Sequence, residues 1–540
     1  MTQNKGPAHI GTRYRPKRLK SHYDVVIIGS GMGGLTTASL LADMGWKVAV
    51  LEQHYTAGGY THSYEKDGFV FDVGVHYIGD MGAPTMSRRF MDYLTDGKVQ
   101  WAPMPQAYDR FVIAGRSFDM HAGREAFRAQ LLHYFPQEEQ AVDRYLQLLQ
   151  EAGKAMSLYT LGKMRLPRPF NWGQRLLQSR LPDFLFRTTR DVLQELSRNP
   201  EFLAVLTGQY GDNGLPPGKS AFLIHALIAR HYLFGGFYPE GGSWKIAEAA
   251  VARIQAKGGD VWTYARVEGI DVGAQGVRGV HMADGSFVPC SRVVSAAGVH
   301  NTFRHLLDPE LVRQSGYDRD LQQVRPSIAH LGLYLGIEGD GAELGLPQQN
   351  LWIYPDTDHD RSTERFLEHP DADFPVVYIS FPSRKDPDWQ NAHPGVSSVE
   401  VVAPAPYAWF ERWKDTVWGK RGEEYEAVKA VWAERLMQVV YQHVPQIQGK
   451  VRLMDVSTPL STQWFAGWSR GELYGLDHDP ERFRQDWLKP ETRIPGLWLS
   501  GQDILSCGVV GAMMSGVMTA VSMAGVAKSF PVLRRIMRSS

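Results

Sequence analysis

Apolar residues run along this chain in two rhythms, and the first shows at Val25–Ile28. Those β-branched residues in an unbroken row, closed by glycine, read as a strand buried on both faces. From Leu35 to Met44 the apolar positions return at helical spacing and stop near Gly45. A second strand-like run, Lys47 to Leu51, ends at Glu52. Near the other end Leu497–Ser500 predicts a strand, and "VVSAAG" (Val293 to Gly298) predicts one that runs into a loop. The stretch before it, from "GGDVWTYARVEGI" to "ADGSFVPC", alternates polar and apolar as a β-meander does. From about Ala83 to Tyr238 the pattern is that of amphipathic helices. In Gln137–Lys154, for example, Val142, Tyr145, Leu146, Leu148 and Leu149 sit among polar neighbours. Proline-rich breaks fall at Leu166–Phe170 and Leu215–Pro217. Between Ser327 and Val402 strand-like runs such as "HLGLYLGI" and "FPVVYISF" appear, and Glu423 to Val444 is helical again.

Glycines decide what the first elements are for. Gly29, Gly31 and Gly34 form G-x-G-x-x-G between a strand and a helix, and Glu52 closes the next strand about twenty residues on. Gly29 allows a tight turn, Gly31 lets the backbone approach a pyrophosphate, and Gly34 lets helix and strand pack closely. The helix start offers free N–H groups to phosphate, and Glu52 can accept ribose hydroxyls. This frame predicts a dinucleotide site. Gly58–Gly59, a second glycine pair, can bring another loop against the diphosphate. Late in the chain Gly501 and Asp503 precede a glycine-rich helix start at Gly508 to Gly516, where the dipole would favour negative charge on a reduced flavin. No second G-x-G-x-x-G is present, so FAD is expected rather than a separate NAD domain.

Composition narrows the class. At 540 residues one core is too few, so two domains are expected. Lys plus Arg and Asp plus Glu both total 58, which gives no field for nucleic acid. The two cysteines, Cys290 and Cys507, exclude a disulfide framework and a redox pair, and fit a cytoplasmic setting. The 18 histidines show no metal spacing, and "DTDHD" (Asp356 to Asp360) reads as a solvated loop. No secretory signal is expected. Ile504 to Ala527 carries no charge, yet its glycines and serines predict a buried helix rather than a membrane span.

Three stretches carry a family likeness: "LEQHYTAGGYTHSYEKDGFVFDVGVHYIG", "GQYGDNGLPPGKSAFLIHALIARHYLFGGFYPEGGSWKIAEA", and "GELYGLDHD" with "LSGQDILSCGVVGAMMSG". With them the chain resembles the FAD-dependent polyene oxidoreductases (retinol saturases, carotenoid cis–trans isomerases and bacterial phytoene desaturases), and the retinol saturases most. The likeness spans Tyr23 to about Gly525. It implies an α/β fold: a Rossmann-type FAD-binding domain with an interleaved α+β substrate domain. The implied division is a basic N-terminal tail at 1–22, a discontinuous FAD domain at 23–82, 239–310 and 455–527, a substrate domain at 83–238 and 311–454, and a basic amphipathic tail at 528–540. The implied non-covalent FAD contacts are Gly29, Gly31, Gly34, Glu52, Gly58, Gly59, Val267, Gly501, Asp503 and Val510. Tyr60 departs from the arginine that many flavin amine-oxidase-like proteins carry after the glycine pair, so phosphate charge must be met otherwise.

The likeness also implies reduction of a carbon–carbon double bond in a long apolar polyene or isoprenoid. Desaturation of a carotenoid or fatty-acyl chain, cis–trans isomerisation, and non-enzymatic flavin or lipid binding stay open, as do the electron donor and the oligomeric state. Reduction needs a proton donor beside the flavin, or water. The candidates are Asp212, His225, Glu240 and Glu472. His54, His62 and His76 are expected to bond structurally. Phe234, Phe237, Trp352 and Tyr354 are candidates to line a tunnel. An apolar substrate predicts peripheral membrane docking through the basic N-terminal run and through "KSFPVLRRIMRSS", where Phe530, Leu533, Ile536 and Met537 lie beside Lys528, Arg534, Arg535 and Arg538.

Overall fold

A computed structural model describes residues 7, 9–82, 85–164 and 180–538. The predicted break at Leu166–Phe170 lies outside them. The first layer is a six-stranded sheet, in the spatial order Thr12–Arg13, Asp260–Thr263, Val48–Leu51, Val25–Ile28, Val293–Ser295 and Leu497–Leu499. Every pair in it is parallel. Such sheets are covered on both faces, which is why Val25–Ile28 and Val48–Leu51 read as unbroken apolar runs and are buried throughout. Helix Met32–Asp43 packs between Gly508–Ala524 and Trp244–Ala256 on this layer. The expected meander is a three-stranded antiparallel sheet of Val267–Gly273, Gly276–Met282 and Phe287–Pro289.

The second layer is a seven-stranded sheet ordered Val451–Ser457, Ala329–Glu338, Val396–Ala405, Val377–Ser380, Asn350–Tyr354, Ala107–Ile113 and Arg116–His121. Only Asn350–Tyr354 and Ala107–Ile113 run parallel. Helix Glu423–His443 covers one face, where Leu331, Leu333 and Leu335 meet Trp432, Leu436 and Val440 in one core. Helices Glu139–Lys163 and Phe222–Tyr232 build another core over Tyr108, Phe111 and Phe118. All five apolar positions named for the first of these helices are buried.

Three details differ from the sequence-based expectations. The stretch expected to be helical supplies the two end strands Ala107–Ile113 and Arg116–His121; the period of two in Tyr108–Ile113 is short and interrupted by the buried Asp109. Thr12–Arg13 is an edge strand rather than a tail, and Lys20 pairs with Asp260 at 3.0 Å. The C-terminal segment is a helix, Val526–Arg538, docked on the first layer: Val532 and Ile536 are buried, while Phe530 and Met537 stay exposed. Among the described residues no helix is long and apolar enough to cross a membrane.

Candidate functional site

The carboxyl ends of the parallel strands open into one cleft of about 1550 Å³, walled by Gly29, Glu52, Ala265, Ala296 and Ser500 among others. That is the position at which open α/β sheets bind ligands, and the volume exceeds the ~300–1,000 Å³ of an ordinary small-ligand site. Helix Met32–Asp43 begins there with Gly31 as its N-cap and no side chain capping it, so its first N–H groups are left for an anion.

The glycines explain how three distant stretches meet. A Cβ on Gly34 would lie 2.1 Å from the Gly29 carbonyl oxygen, so only glycine lets the helix rest on the turn. A Cβ on Gly33 would lie 2.6 Å from Gly501 N, and one on Gly59 would lie 2.9 Å from Gly31 Cα. The Gly58 N–H donates to Ser30 Oγ at 3.1 Å. The first glycine turn, the second glycine pair and the Gly501 loop therefore touch. Gly29, Gly31, Glu52, Gly58, Gly59, Val267, Gly501 and Asp503 all line the cleft. Gly34 sits beneath it, and Val510 lines the adjoining cavity instead.

Two carboxylates do more than spacing reveals. Glu52 Oε2 accepts from the Ser30 N–H at 2.9 Å and its hydroxyl at 2.6 Å, and Oε1 accepts from His54 N–H at 2.8 Å. Glu52→Ala leaves these donors without an acceptor. It should cost about 1–3 kcal/mol of stability and lower cofactor occupancy, read by thermal unfolding alongside bound-cofactor absorbance. Occupancy equal to that of the unaltered protein would count against a ribose contact at this position. Asp503 Oδ2 accepts from Val299 N–H at 2.8 Å and Oδ1 from Leu476 N–H at 3.1 Å, knitting three loops under the cleft floor. Burial raises its carboxyl and the neighbouring Arg482 guanidinium lowers it.

Tyr60, at the position of the missing arginine, donates its hydroxyl to the Glu472 carbonyl at 3.2 Å. The cleft wall also holds Lys66, Lys414 and Lys429, which pair with Asp455, Glu411 and Glu426, and Arg266 and Arg421, which have no carboxylate partner among the described residues. His54 Nε2, also in the wall, is buried without a hydrogen-bond partner among the described residues. The uncapped N–H groups of the helix and the orphaned imidazole nitrogen suit a large, nucleotide-like ligand whose phosphates lie against the glycine turn.

A second cavity of about 940 Å³ abuts the cleft. The two share Val73–Val75, His330, Leu473–Tyr474 and Gly508–Val509. The shared wall lies at the N-terminus of Gly508–Ala524, a helix that no side chain caps. Met156, Ile224, Leu227, Ile228, Val376 and Met514 make the lining largely apolar. Phe234 and Trp352 line it as expected, whereas Phe237 packs at Gly82 and the Tyr354 hydroxyl donates to the Gly208 carbonyl. Met86 and Phe234, 53% and 57% exposed, mark where it meets solvent.

Of the four candidate proton donors only Asp212 faces this cavity. Its Oδ2 is buried without a partner among the described residues, and burial with nearby Asp109 holds its carboxyl well above the usual range. His225 is bonded to the Tyr145 hydroxyl at 3.0 Å, Glu240 is exposed on a turn, and Glu472 accepts from Arg470 N–H at 2.6 Å. Cys507 occupies the N-cap position at the shared wall, but its Sγ turns away from the helix and donates to the Asp212 carbonyl at 3.4 Å. In the "DTDHD" loop, Asp358 caps a helix and Asp360 accepts from Gly218 N–H at 2.8 Å.

Spacing missed a pair that geometry shows. His76 lines the cavity, and its Nδ1 lies 2.8 Å from Oε2 of Glu400, which is fully buried in strand Val396–Ala405. Glu400 Oε1 accepts from Asp72 N–H at 2.6 Å, and Lys385 Nζ donates to the His76 carbonyl at 2.9 Å. Burial pushes the Glu400 carboxyl well up, His76 down to about 3 and Lys385 down to about 7. One sequence signal existed, a lone acid in an otherwise uncharged strand, but not the identity of its partner.

The profile of the NAD(P)-binding Rossmann-like domain matches residues 27–94. The all-trans-retinol 13,14-reductase of Homo sapiens is 38% identical over 517 residues, covering 92% of this chain and 84% of that protein. The enzyme of the same name from Macaca fascicularis is 37% identical over 94% of this chain and 86% of its own length. Among solved structures, putrescine oxidase bound to putrescine superposes with a TM-score of 0.62 at 16% identity, over 93% of this chain and 99% of that one, which shows a shared fold.

Proposed function

The chain belongs to the family of all-trans-retinol 13,14-reductases, and from that premise we propose a FAD-dependent oxidoreductase that saturates a carbon–carbon double bond in a long apolar polyene. The observation that carries this reading is the apolar cavity of about 940 Å³ that shares a wall with the dinucleotide cleft at the start of Gly508–Ala524. A polyene in the cavity and the redox face of a flavin in the cleft would meet at that wall.

In this reading the six-stranded layer with its meander is the cofactor domain, and the seven-stranded layer with its helices is the substrate domain. The glycine turn and Gly58–Gly59 would hold the pyrophosphate, Glu52 the adenosine ribose, and the Val267 strand the adenine. Gly501 and Asp503 would lie along the ribityl chain. Reduced FAD supplies a hydride. The protein's own task is to exclude water, align the double bond and provide the matching proton.

Moving a twenty-carbon chain out of a bilayer costs on the order of 10 kcal/mol or more, at about 0.8 kcal/mol per CH₂. Docking on a membrane surface removes that barrier. The apolar rim at Met86 and Phe234, together with exposed Phe530 and Met537, is the surface we assign to it. Val532 and Ile536 are already committed to the protein interior.

The test is a single turnover. Purified protein is loaded with FAD, reduced anaerobically with dithionite and mixed with all-trans-retinol, with carotenoids and with fatty-acyl lipids. The expected result is reoxidised flavin and a product two mass units heavier. A loss of two mass units with oxidised flavin would mean desaturation, and unchanged mass with shifted retention would mean isomerisation. Flavin that stays reduced with every lipid, with no lipid changed in mass or retention, would refute the enzymatic reading.

A further inference from the structure

The cavity wall beside the cleft contains a chemical device that the preceding reading leaves unassigned. His76 lines the apolar cavity and directly follows Val73–Val75 in the chain, residues common to both cavities. Nδ1 faces Glu400 at 2.8 Å. On the opposite side of the ring, Nε2 has no hydrogen-bond partner among the described residues. Glu400 is 0% exposed, and Oε1 is fixed by the Asp72 N–H, so Oε2 is aimed at the imidazole. The His76 ring lies 5.3 Å from the Tyr378 ring, and the Lys385 hydrogen bond fixes its backbone carbonyl.

We propose that His76, backed by Glu400, donates the proton that completes saturation of the substrate double bond, an inference that rests on the reductase reading above. The pair holds one proton in place of an ion pair: burial keeps Glu400 protonated and His76 neutral, so Glu400 donates to Nδ1 and Nε2 carries the remaining ring hydrogen. When one carbon of the double bond accepts a hydride from the reduced two-electron carrier in the cleft, electron density moves to its neighbour. That neighbour takes the Nε2 proton, a new C–H bond forms, and the Glu400 proton passes to Nδ1. The sum is one hydride and one proton added across C=C. The carrier is oxidised, the imidazole stays neutral with its tautomer exchanged, and Glu400 is left as carboxylate until solvent returns a proton. A lone imidazole at this site would have to become imidazolate, and Glu400 removes that cost. Two acids line the cavity directly: Asp212, whose buried Oδ2 has no partner among the described residues, and Asp80, whose carboxylate lies 3.4 Å from His231 Nδ1, a ring whose Nε2 already accepts from the Gly79 N–H at 2.9 Å.

The test uses the FAD-loaded protein reduced with dithionite, with all-trans-retinol as the probe. His76→Gln and Glu400→Gln should each bind FAD and be reduced like the unaltered protein, yet slow reoxidation by retinol by about 10²–10⁴-fold. Glu400→Gln keeps the side-chain size and an acceptor for Asp72 N–H, so it remains informative should His76→Gln fold poorly. Added imidazole should restore part of the rate to His76→Gly, which a purely structural role would not allow. Independently of turnover, infrared spectra of the protein should contain a protonated-carboxyl band that Glu400→Gln removes. Full rate in both Gln variants, or no band assignable to Glu400, overturns the proposal. So does a comparable loss in Asp212→Asn with none in His76→Gln. If retinol and every other polyene fail to reoxidise the unaltered protein, the reductase reading has failed instead, and that result is separate from any of these.

Discussion

Gly31→Val is expected to leave the fold standing and weaken FAD binding about a hundredfold. Gly31 is the N-cap, with φ −63° and ψ 174°, an extended conformation that valine adopts readily, and a Cβ placed there meets no protein atom within 4 Å. The space it would enter belongs to the cleft. If the pyrophosphate lies against this turn, two methyl groups in its path should weaken binding by about 3 kcal/mol, two decades in Kd. Gly34→Val is the contrasting variant. Its Cβ would sit 2.1 Å from the Gly29 carbonyl oxygen, so strand and helix must separate and stability should fall by about 3 kcal/mol or more. Titration of flavin-free protein with FAD, followed by fluorescence, and thermal unfolding of the same samples distinguish the two. Unimpaired FAD binding by Gly31→Val would remove the diphosphate from the position assigned to it.

The contrast shows which parts of the site can be read from a sequence. Strands buried on both faces leave no choice of residue, so Val25–Ile28 and Val48–Leu51 stand out as apolar blocks, and the glycines beside them mark backbone that must approach something. Those constraints are local, and they are legible. Ala107–Ile113 reads as part of a helical stretch because its core-facing set includes Asp109, which is buried by virtue of Tyr77, Gln209 and Asn350, residues far off in sequence. The C-terminal segment shows the converse: its periodicity is real, but the surface taking up Val532 and Ile536 is the protein's own. His76 and Glu400 lie 324 positions apart, and no periodicity of either neighbourhood indicates the other. The cofactor half of the site is thus written in glycines, and the proton-handling half in pairs that only folding brings together.

Lys385→Met should produce the largest loss of stability away from the glycines. Lys385 is buried, and its Nζ donates to the His76 carbonyl at 2.9 Å, to Ser380 Oγ at 2.8 Å and to the Asn350 side-chain oxygen. Asn350 in turn donates to Asp109 Oδ1 at 2.8 Å, and Asp109 Oδ2 accepts from Tyr77 at 2.9 Å and Gln209 at 3.0 Å. Burial disfavours the charged amine, and Asp109 and Asp72 favour it. Methionine matches the length of the side chain but leaves three buried acceptors unpaired and removes the amine that faces Asp109 and Asp72. Truncating one partner of a buried, bonded charge cluster costs about 3–5 kcal/mol, against ~1 kcal/mol for an isolated neutral hydrogen bond. Chemical denaturation of flavin-free protein measures this without interference from cofactor binding. Pairing the change with Asp109→Asn separates the two contributions. If electrostatics dominate, the second substitution should restore part of the loss; if the orphaned carbonyl and hydroxyl dominate, the losses should add. A shift below ~0.5 kcal/mol for Lys385→Met alone would mean that this cluster does not hold the cavity wall, and the placement of His76 would then need another support.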